Sequence, residues 1–132
     1  MARVTAEQFI AALRQVEDAS DTSAMGPLHT EDAEASNVTM TEPDRGRDGV
    51  VQFWTKYRES FSTVHSEFRN IVDTDDAALM EWVSTVTTAA GVETVYDGVS
   101  VLEYRDGLIS RFRAYFNPNA LTAHHQHAPA TR

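Results

Sequence analysis

An amide at Asn37 and hydroxyls at Ser84 and Ser100 can polarise a carbonyl or hold a water, because each both donates and accepts hydrogen bonds. None of the three takes up a proton at neutral pH. No His or Lys stands at a spacing that would activate either serine, so a nucleophilic serine is not expected. Each residue also has a plainer role. Asn37 can bond nearby backbone after a short strand, and small serines leave room for packing. His29, followed by Glu31 and Asp32, could titrate near neutral pH as an acid or base; it reads more simply as a surface-loop histidine near the mouth of a site. His124, His125 and His127 have the composition of a metal-binding tract, but on a tail that would take up metal only adventitiously. No carboxylate spacing suggests a metal cage. The chain has no cysteine, which removes thiolate chemistry and a disulfide framework. No metal and no cofactor is expected.

The elements that must position these residues follow from periodicity. Thr5 and Gln8 form a capping-box pattern, and Phe9, Ile10, Leu13 and Val16 then recur at helical spacing. A second short helix or turn is disturbed by Gly26-Pro27. "EASNVTM" is a short strand candidate. Asp48 can cap a further helix over about residues 49–61, with Val50, Phe53, Trp54, Tyr57 and Phe61 on one broad face. The second half changes period. "TVHSEFRNIV", "ALMEWVSTVTT", "VETVYDGVSVLEY" and "LISRFRAYFN" are rich in β-branched and aromatic residues. Turn residues separate them, including Asp106-Gly107, a strong hairpin signal. The expected class is α+β: about three N-terminal helices on one face of a curved, mostly antiparallel sheet. Residues 1–121 read as one domain and 122–132 as a flexible tail.

A length of 132 residues suits a single core. The net charge of −9, from 20 acidic and 11 basic residues, repels phosphate backbones and argues against nucleic-acid partners. Glu17, Asp18, Asp21, Glu31, Asp32 and Glu34 read as a solvated acidic surface. No apolar run is long enough for a membrane span and the start lacks a signal-peptide stretch, so a cytoplasmic protein is expected. On the third long strand both faces are partly apolar: Tyr96, Ser100 and Leu102 on one, Val95, Val99 and Val101 on the other. Helices can cover only one face, so the other is expected to meet a second copy in a homodimer.

The order and spacing of "AEQFIAAL", "HTEDAEASNV", "GRDGVVQFWTKY" and the final "DGLISRFRAYF" resemble a SnoaL-like member of the nuclear transport factor 2-like superfamily. The resemblance covers about residues 5–121. It implies a cone-shaped barrel with a deep apolar pocket, and usually dimers. Its members include ketosteroid isomerases, limonene epoxide hydrolases, polyketide cyclases, scytalone dehydratase and non-catalytic binders, so fold leaves function open. Steroid isomerisation needs a carboxylate base with a Tyr and a protonated Asp as oxyanion hole. The matching positions are Asn37, Phe9 and Ser100. Epoxide hydrolysis in this family uses two Asp bridged by an Arg, with a Tyr and an Asn. Those positions fall on Ser84 and Ala114, Trp82, Ala35 and Asn37. Neither machinery is complete.

These correspondences, with strand alternation, set which side faces a pocket. Ser66, Phe68 and Asn70 face inward on the first long strand. Met80, Trp82, Ser84 and Val86 follow on the second, Tyr96, Gly98, Ser100 and Leu102 on the third, and Phe112, Ala114 and Phe116 on the fourth. The helices add Phe9, Leu13, Trp54, Tyr57 and Phe61. The candidate catalytic residues are Asn37, Ser84 and Ser100. The candidate ligand contacts are Phe9, Trp54, Tyr57, Phe68, Met80, Trp82, Leu102, Phe112, Ala114 and Phe116. His65, Glu67, Arg69, Glu81, Asp97, Glu103, Arg111 and Arg113 fall on the outer face, where cross-strand ion pairing is the simpler reading than an acid–base pair. A one-residue slip would bring them inside. The expected function is a pocket for an apolar or aromatic small molecule, acting as a cofactor-independent isomerase, cyclase or lyase. A non-catalytic binder and a protein-interaction module are the alternatives.

Overall fold

Thr5 opens the first helix in the manner its spacing predicts. In the computed structural model, which describes residues 2–121, the Thr5 hydroxyl accepts from the Gln8 N–H at 3.2 Å while the Gln8 side chain accepts from the Thr5 N–H at 2.9 Å. Asp73 adds a third acceptor, taking the Ala6 N–H at 2.7 Å. Orphan donors of the first turn are thereby satisfied. Helix α1 runs Ala6–Ala19 and ends at Ser20 in the left-handed region. A 3-10 turn, Gly26–Leu28, follows with Pro27 in its first turn. Strand β1 (His29–Asn37), the two-residue β2 (Asp44–Arg45) and helix α2 (Gly46–Glu59) come next. The long strands are β3 (Phe61–Asp73), β4 (Ala77–Thr88), β5 (Glu93–Arg105) and β6 (Leu108–Phe116). The proposed tail, with His124, His125 and His127, lies outside the described residues.

The six strands form one sheet in the order β2-β1-β6-β5-β4-β3. The last four make the antiparallel meander expected from their turns. Asp106 and Gly107 have φ of 55° and 80°, the signs a tight primed turn requires at both central positions. Strand β1 instead runs parallel to β6, pairing Asn37 with Ala114, and antiparallel to β2. The architecture is therefore α+β: among the described residues, the α-helices α1 and α2 and one 3-10 turn pack against a mostly antiparallel curved sheet.

Both helices meet the sheet at Phe112. Its ring lies 5.5 Å from Phe9, 5.6 Å from Phe53 and 4.9 Å from Trp54, within the range of favourable aromatic pairs. Burying a ring of this size contributes about 1.5–3 kcal/mol, so this cluster anchors the helical layer.

Several expectations change. Phe61, expected on the helix over residues 49–61, instead opens β3. Arg45, not Asp48, is the N-cap of α2, and no side chain caps it; Asp48 sits inside the first turn, where a carboxylate suits the helix dipole. Asn70 faces outward, toward Glu81, because a β-bulge between Phe68 and Ile71 breaks alternation in β3. His29 is not on a surface loop. It begins β1 and is fully buried, with Nδ1 2.8 Å from the Met25 carbonyl.

Candidate functional site

A cavity of about 630 Å³ lies between the helices and the inner face of the sheet, a size usual for small-molecule pockets. Phe9 projects from α1, Trp54 and Tyr57 from α2, and Phe68, Trp82, Phe112, Ala114 and Phe116 from the sheet; all line the cavity. So do Asn37, Ser84 and Ser100. The rim is more polar and includes Thr39, Asp44 and Lys56, the last two 3.5 Å apart. Met80 and Leu102 do not line it. They face inward as alternation predicts, but belong to the filled core with Val4, Ala6, Ala78 and Ile109, where α1 starts and closes that end. Alternation gives a residue's face, not its depth along the strand.

The three polar candidates are held differently. Asn37 ends β1, and its Oδ1 accepts from the Thr39 N–H at 2.9 Å and the Thr39 hydroxyl at 2.6 Å. The local backbone bond is thus made, and since Thr39 N–H can only donate, the amide –NH2 is the free half of Asn37. Ser100 accepts from the Trp82 indole N–H at 2.9 Å, which leaves its own proton to give. That bond depends on Gly98, paired with Trp82 across β4 and β5. A Cβ at Gly98 would stand 2.7 Å from the Trp82 ring and 2.4 Å from the Tyr115 carbonyl, so only glycine lets the indole lie flat over β5 toward Ser100.

Ser84 sits opposite Ser66 on β3, their hydroxyls 2.6 Å apart. Behind them is a residue counted above with the acidic surface. Glu17 is only 3% exposed. Its carboxylate accepts from the Ser66 N–H at 2.9 Å, the Ser66 hydroxyl at 2.7 Å and the Tyr57 hydroxyl at 2.8 Å. The reason is structural. Among the described residues strand β3 is an edge of the sheet, so one side of its backbone has no strand partner there. Glu17 takes the Ser66 N–H and Arg14, one turn earlier on α1, donates to the Ser66 carbonyl at 2.5 Å. Spacing could have revealed it: Phe9, Leu13 and Glu17 share one stripe of α1. Burial, and then the Glu17 charge, push the Tyr57 and Tyr96 hydroxyls well above their ordinary pKa, so both stay neutral.

His29 lies outside the cavity lining. Burial lowers its pKa to about 4, and nearby Arg47 adds to the shift. Its Nε2 is buried without a partner among the described residues. On the outer face Glu103 and Arg111 pair across strands at 2.9 Å. Among the described residues no group of three or more His, Asp or Glu is arranged to hold a metal, and no helix is long and apolar enough to cross a membrane.

The model of the SnoaL-like domain family matches residues 6–112. The chain belongs to that family. Solved structures share the SnoaL-like fold at low identity. TerC co-crystallized with polyporic acid is 18% identical over 89% of this chain and 94% of its own, with a TM-score of 0.75. A Catenulispora acidiphila protein of ketosteroid isomerase-like fold, in complex with trimethylamine, is 14% identical over 88% and 90%, with a TM-score of 0.76. An LEH-like epoxide hydrolase of M. tuberculosis is 19% identical over 89% and 83%, with a TM-score of 0.68. No curated protein matches the sequence significantly. At these identities the likeness speaks for the fold alone.

Proposed function

We propose that this SnoaL-like domain binds an apolar or aromatic small molecule in its cavity and catalyses a cofactor-independent isomerase, cyclase or lyase step on it. The observation that carries the reading is the 630 Å³ cavity with aromatic walls and a few convergent polar groups. Ser100 and the Asn37 amide donate to an oxygen of the substrate, where charge develops, and the aromatic walls position it. Relatives of the same fold crystallised with polyporic acid and with trimethylamine lend support. The same reading takes residues 1–121 as one cone-shaped domain. It pairs two copies through the outer sheet face, where Val72, Leu79, Val95 and Tyr115 are exposed.

A thermal-shift screen of aromatic ketones and enones, followed by turnover assays on those that stabilise the protein, tests the proposal. Asn37→Ala and Ser100→Ala are each expected to lower turnover about 100- to 1,000-fold, as for loss of one oxyanion donor. Unchanged turnover in both would sink the site assignment. A second reading, a binder without turnover, is favoured by one observation: among the described residues, the only carboxylate lining the cavity is Asp44 at the rim. Ligands that stabilise the protein but are returned unchanged would select it. The open cavity favours both over an interaction module, for which a filled core is the expectation.

A further inference from the structure

The hydroxyls around Glu17 have a direction. Glu17 is met by three donors, the Ser66 N–H, the Ser66 hydroxyl and the Tyr57 hydroxyl. A carboxylate acts as acceptor, so Ser66 and Tyr57 both give their protons to it. Ser66 has one proton. Its 2.6 Å contact with Ser84 therefore requires Ser84 to donate toward Ser66. Tyr57 and Ser84 line the cavity, yet both protons point away from it, toward the buried carboxylate. What they offer inward is lone pairs. Ser100 is the reverse: its oxygen is used by Trp82 and its proton is free. Ser84 is opposite Tyr96, and Ser100 lies four residues further along β5, roughly 13 Å away along the strand.

We infer that Glu17 sets the hydrogen-bond polarity of one end of the cavity, so that the pocket selects a ligand presenting a hydroxyl donor to Tyr57 and Ser84. The ligand class is a phenol, enol or alcohol on an apolar skeleton. An acceptor oxygen about two fused rings away would meet Ser100. Glu17 touches no ligand itself; it is a specificity-determining residue acting through the hydroxyls that do. The inference rests on the proposed reading of the cavity as a small-molecule pocket.

The test is a calorimetric titration of the protein with 2-naphthol, which can donate, and 2-methoxynaphthalene, which can only accept. Wild-type protein is expected to bind the naphthol about tenfold more tightly or better, as a hydrogen bond into a charge-backed acceptor implies. In Glu17→Gln the amide –NH2 can donate back to Ser66 and Tyr57, freeing their protons for the cavity, and the ratio should fall toward one. The size difference between the compounds cancels when ratios are compared across variants. Should Glu17→Gln fail to fold, the double variant Tyr57→Phe, Ser84→Ala keeps the carboxylate bonded to Ser66 and should lose the preference equally. Equal binding of the two compounds by wild-type protein, or a preference that survives these substitutions, overturns the inference and leaves the pocket reading standing. If neither compound binds wild-type protein, the pocket reading falls and the inference with it.

Discussion

His29 makes stability sensitive to mild acid. Its ring is fully buried at the start of β1 and its Nδ1 faces the Met25 carbonyl, so Nδ1 carries the hydrogen and the partnerless Nε2 the lone pair. Protonating the ring would bury a charge away from water and near Arg47, which is why the pKa falls from 6.5 to about 4. Between those values the unfolded chain holds a proton that the folded chain does not. The stability due to neutral His29 is therefore complete above pH 6.5 and is lost as pH falls toward 4. One pKa unit corresponds to about 1.4 kcal/mol, so going from pH 7 to pH 5 costs about 2 kcal/mol. Urea denaturation at the two pH values measures the effect, and His29→Gln isolates it. The variant will be less stable at pH 7, but its loss on acidification should be about 2 kcal/mol smaller than that of wild type. Identical pH dependence in the two proteins would refute the assignment of His29 as a buried neutral residue.

Other substitutions probe the walls of the cavity. Gly98→Ala should destabilise by about 1–3 kcal/mol, because its Cβ meets the Tyr115 carbonyl and Trp82; urea titration and the near-UV dichroism of Trp82 would both report it, and an unperturbed variant would contradict the close approach. Phe112→Ala removes the ring shared by Phe9, Phe53 and Trp54 and should cost about 3–5 kcal/mol in denaturant unfolding. If two copies pair through the outer face, wild-type protein elutes near twice the 14.7 kDa chain mass. Val95→Glu, at a position 63% exposed, should then bring it to one chain mass without lowering unfolding stability at low protein concentration.

Local chemistry was readable wherever it depended on neighbours in the chain. Thr5 with Gln8 and Asp106 with Gly107 act over two to four residues, and their caps and turns form as the sequence implies. Alternation also placed Trp82, Ser84, Ser100 and Phe112 on the helix-facing side of the sheet, because β4, β5 and the central part of β6 keep regular register there. Asn70 shows where that logic fails: one extra residue in β3 reverses the face beyond Phe68. His29 was hidden for a different reason. Its segment is polar, and its burial comes from parallel pairing of β1 with β6, a long-range contact with no local signature. Glu17 was legible but misassigned. Its charge grouped it with Asp18 and Asp21, whereas its helical spacing from Phe9 and Leu13 already placed it on the buried stripe.

The most direct measurement is a crystal structure of the protein with 2-naphthol bound. The rings are expected between Trp54, Trp82 and Phe112, with the hydroxyl within hydrogen-bond distance of Tyr57 or Ser84. A ligand bound elsewhere, or a cavity closed by its own side chains, would contradict it.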